Sequence, residues 1–278
     1  MSAGARSVSV ARGGSEVLHH VDLDAPAGSV TAVVGGDGAG KSTLLRCLVG
    51  ELTPSAGEIR RPDRALIGYM PATSGSWRQL TVDENVAFVG RAFGMSAESI
   101  EQRRTALLRR AGLSTAADRL AGALSGGMRQ KLGFVMAVIH EPELLVLDEP
   151  STGVDPVSRV ELWRLISEAA IGGAAVVMTT SYLDEAERAR SISVLDGGRV
   201  IAAGTRGEII GSFPGSIAAP DRATVQERSW RRGGAVREWH PHGSTADGSL
   251  GPGDIEFEDA VIAHLLAARA ASRRTAGT

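Results

Sequence analysis

The sequence predicts an α/β fold with buried parallel strands, and three observations carry that expectation. A β-branched run, Val30 to Val34, feeds a glycine-rich loop and then a helical pattern from Ser42 to Val49. Two further short apolar runs, Glu143 to Leu147 and Ala174 to Thr180, have the continuous character of strands covered on both faces. An amphipathic stretch, Val157 to Ala170, lies between them and stops at Gly172-Gly173.

The remaining elements follow in chain order. Val8 to Val10 reads as a strand, with Val17 to Asp24 a further candidate and Asp63 to Tyr69 another ending at Pro71. From Thr81 to Ile139 the pattern is helical, with Leu107, Leu108, Leu113, Leu120 and Leu124 forming a stripe and Ser96 placed as an N-cap. Ser191 to Leu195, Asp196-Gly197-Gly198 and Arg199 to Ala203 read as a hairpin. After Gly211 the composition turns to Gly, Pro, Ser and Arg, so 212–278 is expected to be a loosely ordered extension ending in a helix over Ile255 to Arg269.

Composition narrows the function classes. The chain has 278 residues, 43% hydrophobic and 22% charged, enough for a substantial core. A formal net charge of -2 gives no electrostatic footprint for nucleic acid. The single cysteine, Cys47, excludes an internal disulfide and reads as a buried thiol in a reducing compartment. No apolar run reaches the roughly 20 residues of a membrane helix, and Met1 to Arg12 lacks the apolar core of a signal peptide. The expectation is a cytoplasmic chain, peripheral to the membrane through a partner.

Only two lysines occur, Lys41 and Lys131; every other long basic side chain is arginine. One of the two sits in Gly35-Gly36-Asp37-Gly38-Ala39-Gly40-Lys41-Ser42, followed by Thr43. Glycines at this spacing let successive backbone N–H groups approach phosphate oxygens, and the following helix adds its positive end. A slim ammonium suits a closing loop better than a broad guanidinium. Lys41 is expected to reach the β- and γ-phosphates of ATP, and the Ser42 hydroxyl to bind Mg²⁺.

Two other strings carry chemistry. Leu144-Leu145-Val146-Leu147-Asp148-Glu149-Pro150 is a buried strand ending in two carboxylates, which resembles a Walker B element. Asp148 would hold Mg²⁺ through water, and Glu149 would act as the catalytic general base. In Leu124-Ser125-Gly126-Gly127-Met128-Arg129-Gln130, Ser125 would cap a helix whose start Gly126 and Gly127 leave open to an anion.

From Val8 to Thr205 the chain resembles the nucleotide-binding subunit of an ATP-binding cassette (ABC) transporter. Leu124 to Gln130 matches the ABC signature, and Asp155 in Ser151-Thr152-Gly153-Val154-Asp155-Pro156 matches the D-loop. Ser181-Tyr182-Leu183-Asp184-Glu185-Ala186-Glu187 and Phe257-Glu258-Asp259-Ala260 are similar to stretches of bacterial drug- and lipid-type exporter cassettes. The resemblance implies a P-loop NTPase: a RecA-like parallel core, an antiparallel β-subdomain and a helical ABC subdomain at about 73–139, together spanning 1–211. It also implies a pair of cassettes, homo- or heterodimeric, with ATP between one phosphate loop and the partner's signature. The motion of that pair would drive a separate membrane-spanning permease.

Three positions depart from the family pattern. Ala72 follows Tyr69-Met70-Pro71 where a glutamine is usual. Ser181 follows Thr179-Thr180 where a histidine is usual, and Arg12 precedes Gly13 where an aromatic stacks on adenine. An Arg plane can still stack on a base. The two changes beside the γ-phosphate predict MgATP binding with slow turnover at this loop, and an intact Ser125 to Gln130 able to complete a partner cassette. An ordinary homodimer in which Glu149 suffices is the competing expectation, and a regulatory ATP-binding module is a further one. Trp77 and Arg78 fall where the family meets its membrane subunit; surface aromatic packing is the alternative. His240-Pro241-His242 reads as solvated loop rather than a metal site, and Arg231-Arg232 and Arg273-Arg274 as solvated pairs.

Overall fold

The computed structural model describes residues 2–242, 248–251 and 253–276, with side chains through 273. Its centre is a six-stranded sheet. Five strands are parallel: β3 (Ser29–Val34), β5 (Ile67–Met70), β6 (Leu144–Leu147), β7 (Ala175–Thr180) and β8 (Ser191–Asp196). The sixth, β9 (Arg199–Gly204), returns antiparallel from β8, as the Asp196-Gly197-Gly198 turn requires. The order is β5-β6-β7-β3-β8-β9. Every residue of β3, β6 and β7 is buried, which accounts for their unbroken apolar runs.

A second sheet, β2-β1-β4, is antiparallel and built from β1 (Ala3–Arg12), β2 (Ser15–Ala25) and β4 (Ala56–Arg60). It packs through Val8, Val10, Leu18 and Val21 against α1 (Lys41–Leu48) and one face of the central sheet. The strand expected over Asp63 to Tyr69 is shorter than that: Arg64–Leu66 forms a 3-10 turn before β5. β4 escapes the sequence pattern because its Ala-Gly-Glu-Ile-Arg is exposed apart from the half-buried Ile59.

The other face is covered by helices. α2 (Val82–Ala92), α3 (Ala97–Arg110) and α4 (Gly126–Val138) occupy the helical stretch. Thr81 and Glu84 form a reciprocal capping box on α2, and Ser96 caps α3 through Ser99 N–H. α5 (Pro156–Ile171) lies between β6 and β7 in the chain and buries Leu162, Trp163, Leu165 and Ile166. A four-residue helix, α6 (Leu183–Ala186), follows β7, and α7 (Arg206–Ser212) follows β9 with its own capping box at Thr205 and Glu208.

Within 212–278, expected to be loosely ordered, the described residues hold regular elements. They form β10 (Ser216–Ala218), β11 (Ser229–Arg232) and β12 (Ala235–His240) in the order β10-β12-β11. α8 (Phe257–Ala276) buries Phe257, Ala260 and Val261 against the main core and Ala263 against Ile217 and Trp239. Buried carboxylates, more than apolar periodicity, organise this piece. Glu238 is 1% exposed and accepts from Thr224 N–H (2.7 Å), Val225 N–H (3.2 Å) and the Ser229 hydroxyl (2.9 Å). Asp259 accepts from Trp230 Nε1 (3.0 Å) and pairs with Arg232 Nη1 (3.1 Å). Arg232 is therefore an ion-pair member and not a solvated charge. In the His-Pro-His string, His240 Nε2 lies 3.3 Å from Glu238, and His242 Nε2 accepts from Gly215 N–H. Residues 243–247 of the expected extension, and the side chain of Arg274, lie outside the described residues.

Candidate nucleotide site

The parallel strands deliver the expected site residues to one edge of the sheet. β5 ends before Ala72, β6 before Asp148 and Glu149, β7 before Ser181, and β3 before Gly35. These strands are neighbours in the order β5-β6-β7-β3. In open parallel sheets, ligands bind beyond the carboxyl ends of the strands.

The glycine loop is shaped by close approach. A Cβ on Gly35 would stand 2.3 Å from the Leu195 carbonyl oxygen. Gly40 has φ +104°, and a Cβ there would meet Leu18 Cδ2 at 2.6 Å. α1 begins at once after Gly40, with no side chain capping its first turn and no acidic residue in it. Its leading N–H groups are left for a ligand, and the helix end favours an anion. Gly36, Asp37 and Gly38 are exposed around this opening, Ala39 is buried beneath it, and Ser42 is exposed with Thr43 half-buried in the first turn. This is a cradle shaped for phosphate, with hydroxyl and carboxylate oxygens of the type that hold Mg²⁺.

Lys41 is 6% exposed. Its Nζ donates to the carbonyls of Gly35 (2.8 Å) and Gly36 (3.2 Å), and lies 3.2 Å from Glu149 Oε1. Glu149 Oε2 accepts from the Thr152 hydroxyl at 3.0 Å. Asp148 is buried; its N–H donates to Met70 O (2.8 Å), and its Oδ1 accepts from the Thr179 hydroxyl (2.7 Å). The same Thr179 oxygen accepts the Glu149 N–H at 2.8 Å.

The next threonine serves the opposite side of β7. Thr180 Oγ1 donates to Glu185 Oε2 (2.7 Å), which also accepts from the Ser151 hydroxyl (2.7 Å). Glu185 is 1% exposed, and Arg159 Nε stands 3.9 Å from its other oxygen. One carboxylate thus joins the segment after Glu149, the end of β7 and the start of α5. Thr179, Thr180, Ser151 and Glu185 are absent from the sequence-based site. The available signal was a pair of threonines ending an otherwise apolar strand.

The signature string has its own neighbourhood. Ser125 caps α4 by accepting Met128 N–H at 3.2 Å. Gly127 packs so closely on α5 that a Cβ would meet Ser158 Oγ at 2.6 Å and Asp155 Oδ2 at 3.3 Å; Gly126 lies beside the Gly153 carbonyl. Asp155 is the N-cap of α5, accepting from Val157 (3.1 Å) and Ser158 (3.0 Å) N–H. Those bonds, the Ser158 N–H first, hold its carboxyl below the usual range. The Ser125 and Asp155 segments therefore form one surface. Gln130 Nε2 ties α4 to the strand-end loop by donating to the Ala72 carbonyl at 3.2 Å. Arg12 is exposed at the end of β1, beside the β1–β2 turn. Ala72 and Ser181 are both exposed.

Two further observations bear on surfaces. Trp77 and Phe88 are exposed and meet edge to face at 4.6 Å, while Asn85 pins Trp77 through N–H (2.8 Å) and C=O (3.0 Å) contacts. No helix among the described residues is long and apolar enough to cross a membrane.

Comparison with known proteins agrees with this fold. Residues 18–152 match the family model described as "ABC transporter". The chain is 42% identical over 194 residues to the probable multidrug ABC transporter ATP-binding protein YbhF of Escherichia coli K12, covering 66% of this chain and 34% of that protein. It is 37% identical over 218 residues to the Nod factor export ATP-binding protein I of Cupriavidus pinatubonensis, covering 74% of this chain and 67% of that one. The chain thus spans about a third of the first of these relatives. A solved structure titled "Structure of ATP binding subunit of ABC transporter" superposes with a TM-score of 0.69 at 31% identity, over 75% of this chain and 92% of that one. Together these matches place the chain in the ABC transporter family.

Proposed function

We propose that the chain is the energising subunit of an ABC exporter: it binds MgATP at a cassette dimer interface and drives a separate membrane-spanning permease. The observation that carries this is the uncapped start of α1, with Lys41 set between the glycine-loop carbonyls and Glu149. Lys41 and the N–H groups of Gly36 to Ser42 hold the phosphates, and Arg12 offers a plane for adenine. Ser42 and Asp148 would hold Mg²⁺, which supplies charge neutralisation at the transferred phosphoryl group. Glu149 takes the proton of the attacking water as general base. Ser125, Gly126, Gly127 and Asp155 form one face and close over the nucleotide of a second cassette. The exposed Trp77–Phe88 pair is the contact for the permease, which keeps the subunit on the inner face of the membrane. Residues 1–211 form the cassette, and 212–278 an appended piece.

A second reading is favoured by Ala72 and Ser181. Ala72 offers the site only a methyl group, and its carbonyl is already engaged by Gln130. Ser181 has neither imidazole's reach nor its charge. On this reading the subunit binds MgATP but turns it over slowly at its own loop, and its signature face serves a partner cassette. The two readings separate on ATP binding measured beside phosphate release, for the subunit alone and with its permease and any second cassette. Fast hydrolysis by the subunit alone, unaffected by Glu149→Gln, contradicts both the assigned base and the slow-site reading.

A further inference from the structure

Thr179 stands where the metal side and the base side of the site meet. We propose that Thr179 is a positioning residue for hydrolysis, its hydroxyl fixing the Glu149 peptide against the Asp148 carboxylate. The inference rests on the ATPase reading above.

The direction of both hydrogen bonds is determined. A hydroxyl has one proton to give. The Glu149 N–H can only donate, so Thr179 Oγ1 accepts it at 2.8 Å and spends its own proton on Asp148 Oδ1 at 2.7 Å. One oxygen atom therefore reads two adjacent residues of the Asp-Glu pair. The bond to the Asp148 carboxylate is charge-assisted, and such bonds are stronger than neutral ones.

Glu149 needs such an anchor. Its φ is +45°, a left-handed conformation that a residue bearing a Cβ adopts only under constraint. Pro150 follows it and narrows its backbone further. Beyond the backbone, the carboxylate is aimed from two sides, by Lys41 at Oε1 and by Thr152 at Oε2. Thr179 sets the hinge from which that aim is taken.

The placement of Thr179 is otherwise costly. It is 0% exposed, in register with Val33 of β3 and directly after Met178, in a strand whose earlier residues are apolar. A buried hydroxyl on such a strand loses hydration that an isosteric valine would not have to give up. Both of its bonds go to the Asp148-Glu149 pair, and the strand uses neither for its own ladder. Thr180, pointing to the other face, makes its separate bond to Glu185.

The test uses the full chain with Thr179→Val, which keeps the shape, and Thr179→Ser, which keeps the hydroxyl. Single-turnover ATP hydrolysis is measured with protein in excess, beside ATP affinity and the Mg²⁺ concentration that half-saturates ATP binding. The valine variant is expected to slow hydrolysis about tenfold while ATP affinity at saturating Mg²⁺ stays within about twofold. Its Mg²⁺ midpoint is expected to rise about threefold, and serine is expected to restore both. In a Glu149→Gln background the valine change should add nothing to the loss of rate. Wild-type rate and midpoint in Thr179→Val, or full slowing by both variants alike, overturns the proposal. Should hydrolysis be unaffected by Glu149→Gln, the ATPase reading fails instead, and the Mg²⁺ midpoint alone still decides Thr179: a rise reversed by serine supports it, and no change overturns it.

Discussion

Lys41 Nζ lies 3.2 Å from Glu149 Oε1, so the cation that would grip a γ-phosphate is also the partner of the carboxylate that would activate water beside it. A phosphate entering the glycine loop competes with Glu149 for that ammonium. Glu149→Gln is expected to leave ATP binding at least as tight as in the wild type while lowering hydrolysis by about a hundredfold or more. Equilibrium binding and single-turnover hydrolysis on the same preparation check both halves.

Gly40 answers for the shape of the cradle. Its φ of +104° strains any residue that bears a Cβ, and a methyl group there would meet Leu18 Cδ2 at 2.6 Å. Gly40→Ala is expected to destabilise the fold by about 1–3 kcal/mol and to abolish ATP-dependent thermal stabilisation. Gly36→Ala is the control, because a Cβ at Gly36 meets nothing within 4 Å. It should fold as the wild type does, and thermal melting with and without MgATP distinguishes them.

Glu185 is expected to matter to both stability and coupling. Glu185→Ala leaves the buried hydroxyls of Ser151 and Thr180 without their acceptor, at a cost of about 1–3 kcal/mol. Denaturant unfolding measures the loss. Hydrolysis should fall as well, since Ser151 lies two residues beyond Glu149 on the way to Asp155.

The tail sheet should be acid-sensitive in a particular window. Burial works against the charged form of Glu238, yet hydrogen bonds from Thr224, Val225 and Ser229 overcome it and pull the carboxyl down to about 2. A depressed folded-state value contributes stability that is complete above the unfolded value of about 4.3 and is lost as pH falls toward about 2. Fluorescence of Trp230 and Trp239 should report that loss. Glu238→Gln should flatten this acid limb and lower stability at neutral pH.

Much of the fold was written in local patterns. β3, β6 and β7 announce themselves because strands buried on both faces have no polar residues to interrupt them. The helices of the 73–139 stretch carry caps at Thr81, Ser96 and Ser125. The tail sheet stayed hidden because its order comes from buried Glu238 and Asp259, whose partners are far apart in sequence. Likewise Lys41, Asp148 and Glu149 could be named from their strings, while Thr179 and Glu185 acquire meaning only when β6 and β7 lie side by side. The exposed β4 had too few apolar residues to show any period.

The cradle of Gly35 to Ser42 is expected to bind ATP, with Lys41 holding it there. The direct measurement is equilibrium ATP binding by the purified chain, wild type beside Lys41→Ala, with a melting curve of each to establish that both are folded. Saturable, Mg²⁺-supported binding is expected of the wild type, weakened at least tenfold in the variant. Equal binding by a folded Lys41→Ala protein, or none by the wild type, would contradict that expectation.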